Sequence, residues 1–193
     1  PDVQAELAGR AARAGKAVLL DKPIGLHEAQ AASLVDTIER AGVVSQVILT
    51  NRYLPSMREY LAALEGFTAY GARAAFFGNG CLPGTYFATP WRLEQGGLLD
   101  LGPHVLDGLD AALGRIVDIS ARGDARRIVV LECEHEDGRV SQAMQAEVAT
   151  AQRRIVAEFA EAIRTGRPHE LDIHRGVHLQ RLIDAAAAQL AAS

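Results

Sequence analysis

Asp100, His104 and Asp107 stand at i, i+4 and i+7, a spacing that lines all three along one face of a helix. An imidazole titrates near neutral pH, so His104 is the natural base of the group. A carboxylate beside it can orient the ring or hold a polar substrate, and both roles are open to Asp100. Far upstream, Lys22 is followed by Pro23, whose ring stiffens the loop. An ammonium held there would stabilise negative charge developing on an oxygen. Together these residue types suit withdrawal of a proton from a hydroxyl, a poor acid that needs both a base and a nearby cation. Each pair also has a plainer reading. Asp-x-x-x-His is ordinarily a surface or capping pair, Lys-Pro is ordinarily a turn, and Asp107 also fits a solvated helix position.

Other candidates carry less chemistry. Gly78, Gly80 and Gly84 suggest a phosphate loop, but Pro83 occupies the third glycine position of G-x-G-x-x-G and no helix opens after it. His174 and His178 lie four apart, yet no Glu follows His174 as in H-E-x-x-H, so an exposed helix face is expected and no metal. Cys81 has no CxxC partner and reads as an inert thiol.

The elements that must position these groups follow from periodicity and punctuation. Residues 2–14 carry Val3, Leu7, Ala8, Ala11 and Ala12 at helical spacing, with Asp2 as N-cap and Gly15 as C-cap. Residues 17–20 read as a buried strand, 21–25 as a loop, 27–41 as a helix closed by Gly42, and 43–50 as a second strand. Helix and strand alternating with tight connections is the grammar of a parallel α/β sheet. After Asn51-Arg52 the pattern changes. A short helix is expected at 55–65, a strand at 68–77, a Gly/Pro-rich stretch at 78–90 and a helix at 97–113. Strands follow at 116–121 and 127–134, with Asp137-Gly138 as a hairpin turn into 139–144. Helices at 145–165 and 173–191 end the chain. The expected fold is thus α/β followed by α+β, the second part with a mainly antiparallel sheet.

Bulk properties narrow the partners. The chain has 193 residues, 49% hydrophobic and 23% charged, an ordinary globular mix. A net charge of −4 offers no basic field for a phosphate backbone, so nucleic acid is not expected as a partner. No apolar run approaches a membrane span, and two cysteines, Cys81 and Cys133, read as reduced thiols of a cytoplasmic protein.

Four segments, in order and with consistent spacing, carry a resemblance. Gly15-Lys16-Ala17-Val18-Leu19-Leu20-Asp21-Lys22-Pro23 is similar to a "GKHVLCEKP" strand and loop, and Asn51-Arg52-Tyr53-Leu54-Pro55 to an "NRRFxP" junction. Trp91-Arg92 precedes Gly96-Gly97-Leu98-Leu99-Asp100-Leu101-Gly102-Pro103-His104-Val105-Leu106-Asp107, which resembles a "GGxxxDxGxHxxD" helix. The last helix is similar to an "LHxQRLIDAA" stretch. These are motifs of the Gfo/Idh/MocA family of NAD(P)-dependent oxidoreductases, and the chain resembles their C-terminal two-thirds.

The resemblance implies a fold, a chemistry and a cofactor. Residues 1–52 would be the C-terminal remnant of a Rossmann-type dinucleotide-binding domain, and residues 53–193 an α+β substrate-binding and oligomerisation domain. It implies hydride transfer between NAD or NADP and a hydroxyl carbon of a sugar, polyol or related small molecule. His104 would be the general acid/base, Lys22 would contact substrate and nicotinamide, and Asp100 would bind substrate, with Asp107 beside them. Lys22, Pro23, Trp91 and Arg92 would meet the cofactor, and a homodimer or higher homo-oligomer would form through the second domain's sheet. Departures from the family are specific. A strand, a G-x-G-x-x-G turn and most of a βαβαβ unit would precede the residue matching Pro1, so residues 1–193 alone are expected to be inactive and to bind NAD(P) no tighter than millimolar. The strands at 17–20 and 43–50 would then show open edges. Asp21 stands where Glu is usual, and the second sheet is shortened between Gly138 and Ala146. The alternative is a truncated, non-catalytic relative serving as an oligomerising or binding module.

Overall fold

The computed structural model of the chain describes residues 2–67, 74, 76, 86, 88–116 and 154–191. Helix α1 (Asp2–Arg13) leads to strand β1 (Val18–Asp21), helix α2 (Glu28–Ala41) and strand β2 (Ser45–Ile48). A 3-10 turn (Thr50–Tyr53) and helix α3 (Pro55–Ala63) follow. Then come α4 (Pro90–Asp100), α5 (Gly102–Leu113), α6 over residues 154–165, and α7 (Ile173–Ala191).

The parallel part forms as its punctuation dictates. The His27 ring accepts a hydrogen bond from the backbone N–H of Gln30, capping α2, and Gly42 ends it at φ 62°, a left-handed conformation natural to glycine. Ala31, Leu34, Val35 and Ile38 form its buried face, as their spacing predicts. Burying a Leu, Val or Ile contributes roughly 1.5–3 kcal/mol apiece. α2 is the crossover that lets β1 and β2 run parallel, in the register Val18↔Ser45 to Asp21↔Ile48. Ala5, Ala8 and Ala12 of α1 pack into the same core as Leu20, Val47, Tyr53 and Ile173.

The structure corrects the expectation of open sheet edges on one side. Beyond β2, the Val47 N–H donates to the Leu171 carbonyl at 2.6 Å, and the Ile173 N–H donates to Ser45 Oγ at 3.2 Å, so the approach to α7 seals that edge. On α1, Val3 and Leu7 are more than half exposed. The expected strands at 68–77, 116–121, 127–134 and 139–144, and with them the antiparallel sheet, lie outside the described residues, as do Cys81, Cys133 and Gly78 to Gly84.

The expected helix at 97–113 is two helices. α4 begins earlier, at Pro90, and α5 restarts at Gly102 after Leu101. Pro103 explains the break: it has no N–H to return to Leu99, and its ring suits only a helix's first turn. α5 then seats against α7 through Gly102, where a Cβ would stand 2.7 Å from Ile183 Cδ1.

Candidate active site

Lys22 leaves the C-terminal end of β1, the end at which ligands meet open parallel sheets. Its loop is fixed from two sides. The Gln4 side chain of α1 accepts from the Asp21 N–H and donates to the Asp21 carbonyl, both at 2.8 Å, and to the Pro23 carbonyl at 3.3 Å. Ile24, fully buried, fills the space that Gly176 of α7 leaves; a Cβ there would come within 2.8 Å of Ile24 Cδ1. The Lys22–Pro23 peptide between these anchors is cis.

The anchored lysine reaches 78 residues along the chain to the end of α4. Lys22 Nζ donates to Asp100 Oδ1 at 3.0 Å and also to the Asp100 backbone carbonyl. Arg92 Nε donates to the same Oδ1 at 3.2 Å, and its guanidinium lies over the Trp91 ring, 4.9 Å from the centroid. Burial alone would raise the Asp100 carboxyl, but Lys22 and then Arg92 outweigh it and hold it below the usual carboxylate range. Asp100 is therefore ionised at neutral pH, with Oδ2 outside both ion pairs.

His104, in the first turn of α5, lies within the electrostatic reach of both Lys22 and Asp100. Burial lowers its pKa to about 4, Lys22 adds to the fall, and Asp100 opposes it. The ring is thus neutral at pH 7, and its buried Nδ1 has no hydrogen-bond partner among the described residues. Apolar groups pack beside it. The Phe76 ring lies 5.8 Å away at a 53° tilt, and His104 borders a hollow of about 170 Å³ with Met57, Val105 and Leu109. An uncharged imidazole beside a lysine that commits two of its three N–H donors is a base next to a cation, the pair that hydroxyl chemistry needs.

Asp107 sits in a different company. It is 1% exposed, accepting from Arg52 Nη1 at 3.1 Å and from Arg175 Nε at 2.8 Å. Arg175 continues to Asp110, which also accepts from His178 Nε2 at 3.1 Å and from the Ile116 N–H. His178 is therefore buried, against the expected exposed face; its helical neighbour His174 is the exposed one, near Glu39. The larger hollow of about 540 Å³ adjoins this cluster, between Arg52, Arg58, Glu170 and Arg175, whose cations all face carboxylates. Sequence reasoning singled out Lys22, Pro23, Trp91, Arg92, Asp100, His104 and Asp107; the structure brings Lys22, Arg92 and Asp100 into direct contact, with Trp91 under the Arg92 guanidinium, and places Asp107 on Arg52 and Arg175 instead. It missed Gln4 and the pairing of Arg52 and Arg175 with Asp107, for which no local motif exists.

The chain is 32% identical over 103 residues to trans-1,2-dihydrobenzene-1,2-diol dehydrogenase of Bos taurus and 35% identical over 105 residues to that of Mus musculus. Each match covers 52% of the chain but only 30% and 31% of those proteins, so the chain matches about a third of the length of these relatives. No family model matches the chain. Among solved structures, GenD2 from gentamicin A biosynthesis, crystallised with NAD, superposes with a TM-score of 0.69 at 18% identity, covering 98% of the chain and 73% of GenD2. Levoglucosan dehydrogenase in complex with NADH and levoglucosan gives 0.64 at 15%, covering 98% and 75%. The fold is thus one found in NAD-dependent dehydrogenases. The chain is a relative of the Gfo/Idh/MocA-type oxidoreductases, over part of their length.

Proposed function

We propose that the chain is the substrate-facing part of an NAD(P)-dependent oxidoreductase acting on the hydroxyl carbon of a sugar, polyol or related ring alcohol. The observation that carries this reading is the neutral His104 imidazole, its Nδ1 without a partner among the described residues, beside the Lys22–Asp100 ion pair at the end of a parallel strand. These residues fit the reacting end of a nicotinamide cofactor, because among the described residues a buried nitrogen without a partner and an ammonium with one uncommitted N–H both call for an external polar group. Lys22, Pro23, Trp91 and Arg92 would hold that end, and NAD or NADP, when bound, supplies the hydride acceptor or donor.

The His104 imidazole accepts the proton of the substrate hydroxyl and returns it in the reverse direction. Lys22 stabilises the negative charge that grows on the substrate oxygen as that proton leaves. Asp100 holds the lysine through Oδ1 and offers Oδ2 to a neighbouring substrate hydroxyl, while the apolar wall of Phe76 and Met57 keeps the ring uncharged. The relatives act on a ring diol and bind levoglucosan by name, which supports a small cyclic alcohol. Assembly as a homodimer belongs to the same reading and is tested by light scattering; a clean monomer at tens of micromolar opposes it.

The test is turnover of the protein expressed from its whole reading frame on a panel of cyclic diols and sugars with NAD or NADP. Loss of that turnover in His104→Ala and Lys22→Ala supports the reading. Retained turnover in both variants defeats it, and no turnover on any substrate, with no cofactor binding by calorimetry, favours a non-catalytic binding module.

A further inference from the structure

A helix does not ordinarily let a side chain reach a residue eight places on. Arg92 and Asp100 belong to one helix, α4, and in a straight helix their Cα atoms would stand about 12 Å apart along the axis. The ion pairs that helices do support are three or four residues apart. Yet Arg92 Nε lies 3.2 Å from Asp100 Oδ1. The cause lies between them. Gly96, buried, takes φ 70° and ψ −171°, a backbone conformation essentially reserved for glycine, and it divides α4 into two short pieces. The turn swings the first piece, with Trp91 and Arg92, back towards the end of the second.

We propose that Arg92 is a positioning residue, carried round by the glycine turn at Gly96 to clamp the Asp100 carboxylate against Lys22. This rests on reading Lys22, Asp100 and His104 as the reacting group, and it assigns Arg92 a role beyond the cofactor contact the resemblance implies. The clamp has three parts. The Trp91 ring under the guanidinium limits where Arg92 can go. Arg92 and Lys22 approach one oxygen, so the carboxylate cannot rotate that oxygen away from either without losing a charge-assisted bond. The Lys22 bond to the Asp100 carbonyl then holds the end of α4 in place, and with it the start of α5, two residues before His104.

The test needs no cofactor and no substrate. The Asp100 carboxyl and the His104 imidazole are titrated by NMR in the protein and in Arg92→Gln, Arg92→Lys and Gly96→Ala. Removing the Arg92 charge should raise the Asp100 pKa by about one unit or more, as loss of an adjacent cation does. R92K should recover at least half of that shift. G96A, with Arg92 intact, should reproduce the upward shift, because a side chain at position 96 opposes the turn. An Asp100 titration unchanged in R92Q overturns the clamp, and an unchanged titration in a folded G96A overturns the role of the turn. Should G96A fail to fold, the R92Q and R92K pair decides. A wrong reaction is told apart from a wrong clamp: there, the titrations shift as expected while His104→Ala keeps its turnover.

Discussion

The same side-chain types build two clusters on neighbouring turns of α4 and α5, and they end in opposite conditions. Around Asp107 and Asp110, two arginines and His178 meet two carboxylates, and each of these groups has a partner. Around Asp100, two cations share one carboxylate oxygen while the nearby imidazole has a buried nitrogen with no partner. Burial also acts differently on the acids. It dominates at Asp107, raising its carboxyl despite Arg175 and Arg52, but is outweighed at Asp100 by Lys22 and Arg92. A saturated network fastens helices together; one with spare donors and acceptors is equipped to receive something.

Catalysis gives the strongest way to break this contrast. His104→Ala and Lys22→Ala should each lower kcat by roughly 10²–10⁴, the worth of a positioned acid/base, whereas His178→Ala should leave kcat within several-fold. Equal losses in His104→Ala and His178→Ala would erase the distinction. Unfolding in urea probes the other cluster. Arg175→Met removes the cation that Asp107 and Asp110 share, leaving them Arg52 and His178, and should cost about 1.5–3 kcal/mol; a loss under about 1 kcal/mol would show that the network is not sealed.

Titration sharpens the comparison further. Lys22→Gln should move the His104 pKa up from about 4, and Asp100→Asn should move it down, since the lysine lowers it and the aspartate raises it. The same depression has a stability consequence. Between pH 6.5 and about 4 the unfolded chain protonates this histidine and the folded one does not, so stability falls as pH drops through that window. At roughly 1.4 kcal/mol per unit the loss is at most a few kcal/mol, and His104→Gln should flatten the slope seen in urea titrations at stepped pH. The smallest effect belongs to the exposed His174, whose pairing with Glu39 should be worth under about 0.5 kcal/mol when His174→Ala is measured the same way.

Local signals made much of this readable in advance. The α2 helix was legible to within a residue because its four apolar positions and Gly42 agree. Lys22, Asp100 and His104 stood out because they fall in ordered motifs. What stayed hidden depends on long-range pairing. Asp107 meets Arg52 and Arg175 from 55 and 68 residues away, distances at which no spacing rule operates. His174 and His178 share a helical stripe, but the stripe straddles the boundary between core and solvent, so one is buried and one is not. Nor does a double glycine at Gly96-Gly97 announce which of the two will turn left-handed.

Gln4 shows how such a hidden contact governs form. Its side-chain amide takes both the N–H and the carbonyl of Asp21, the two-bond exchange by which one strand recognises another. It acts as a strand one residue long. Any strand laid along the outer edge of β1 would find the final rung occupied, so the ladder there must end at Asp21. The next residue is then released from sheet pairing, and the sheet's boundary and the lysine's freedom are set by the same amide.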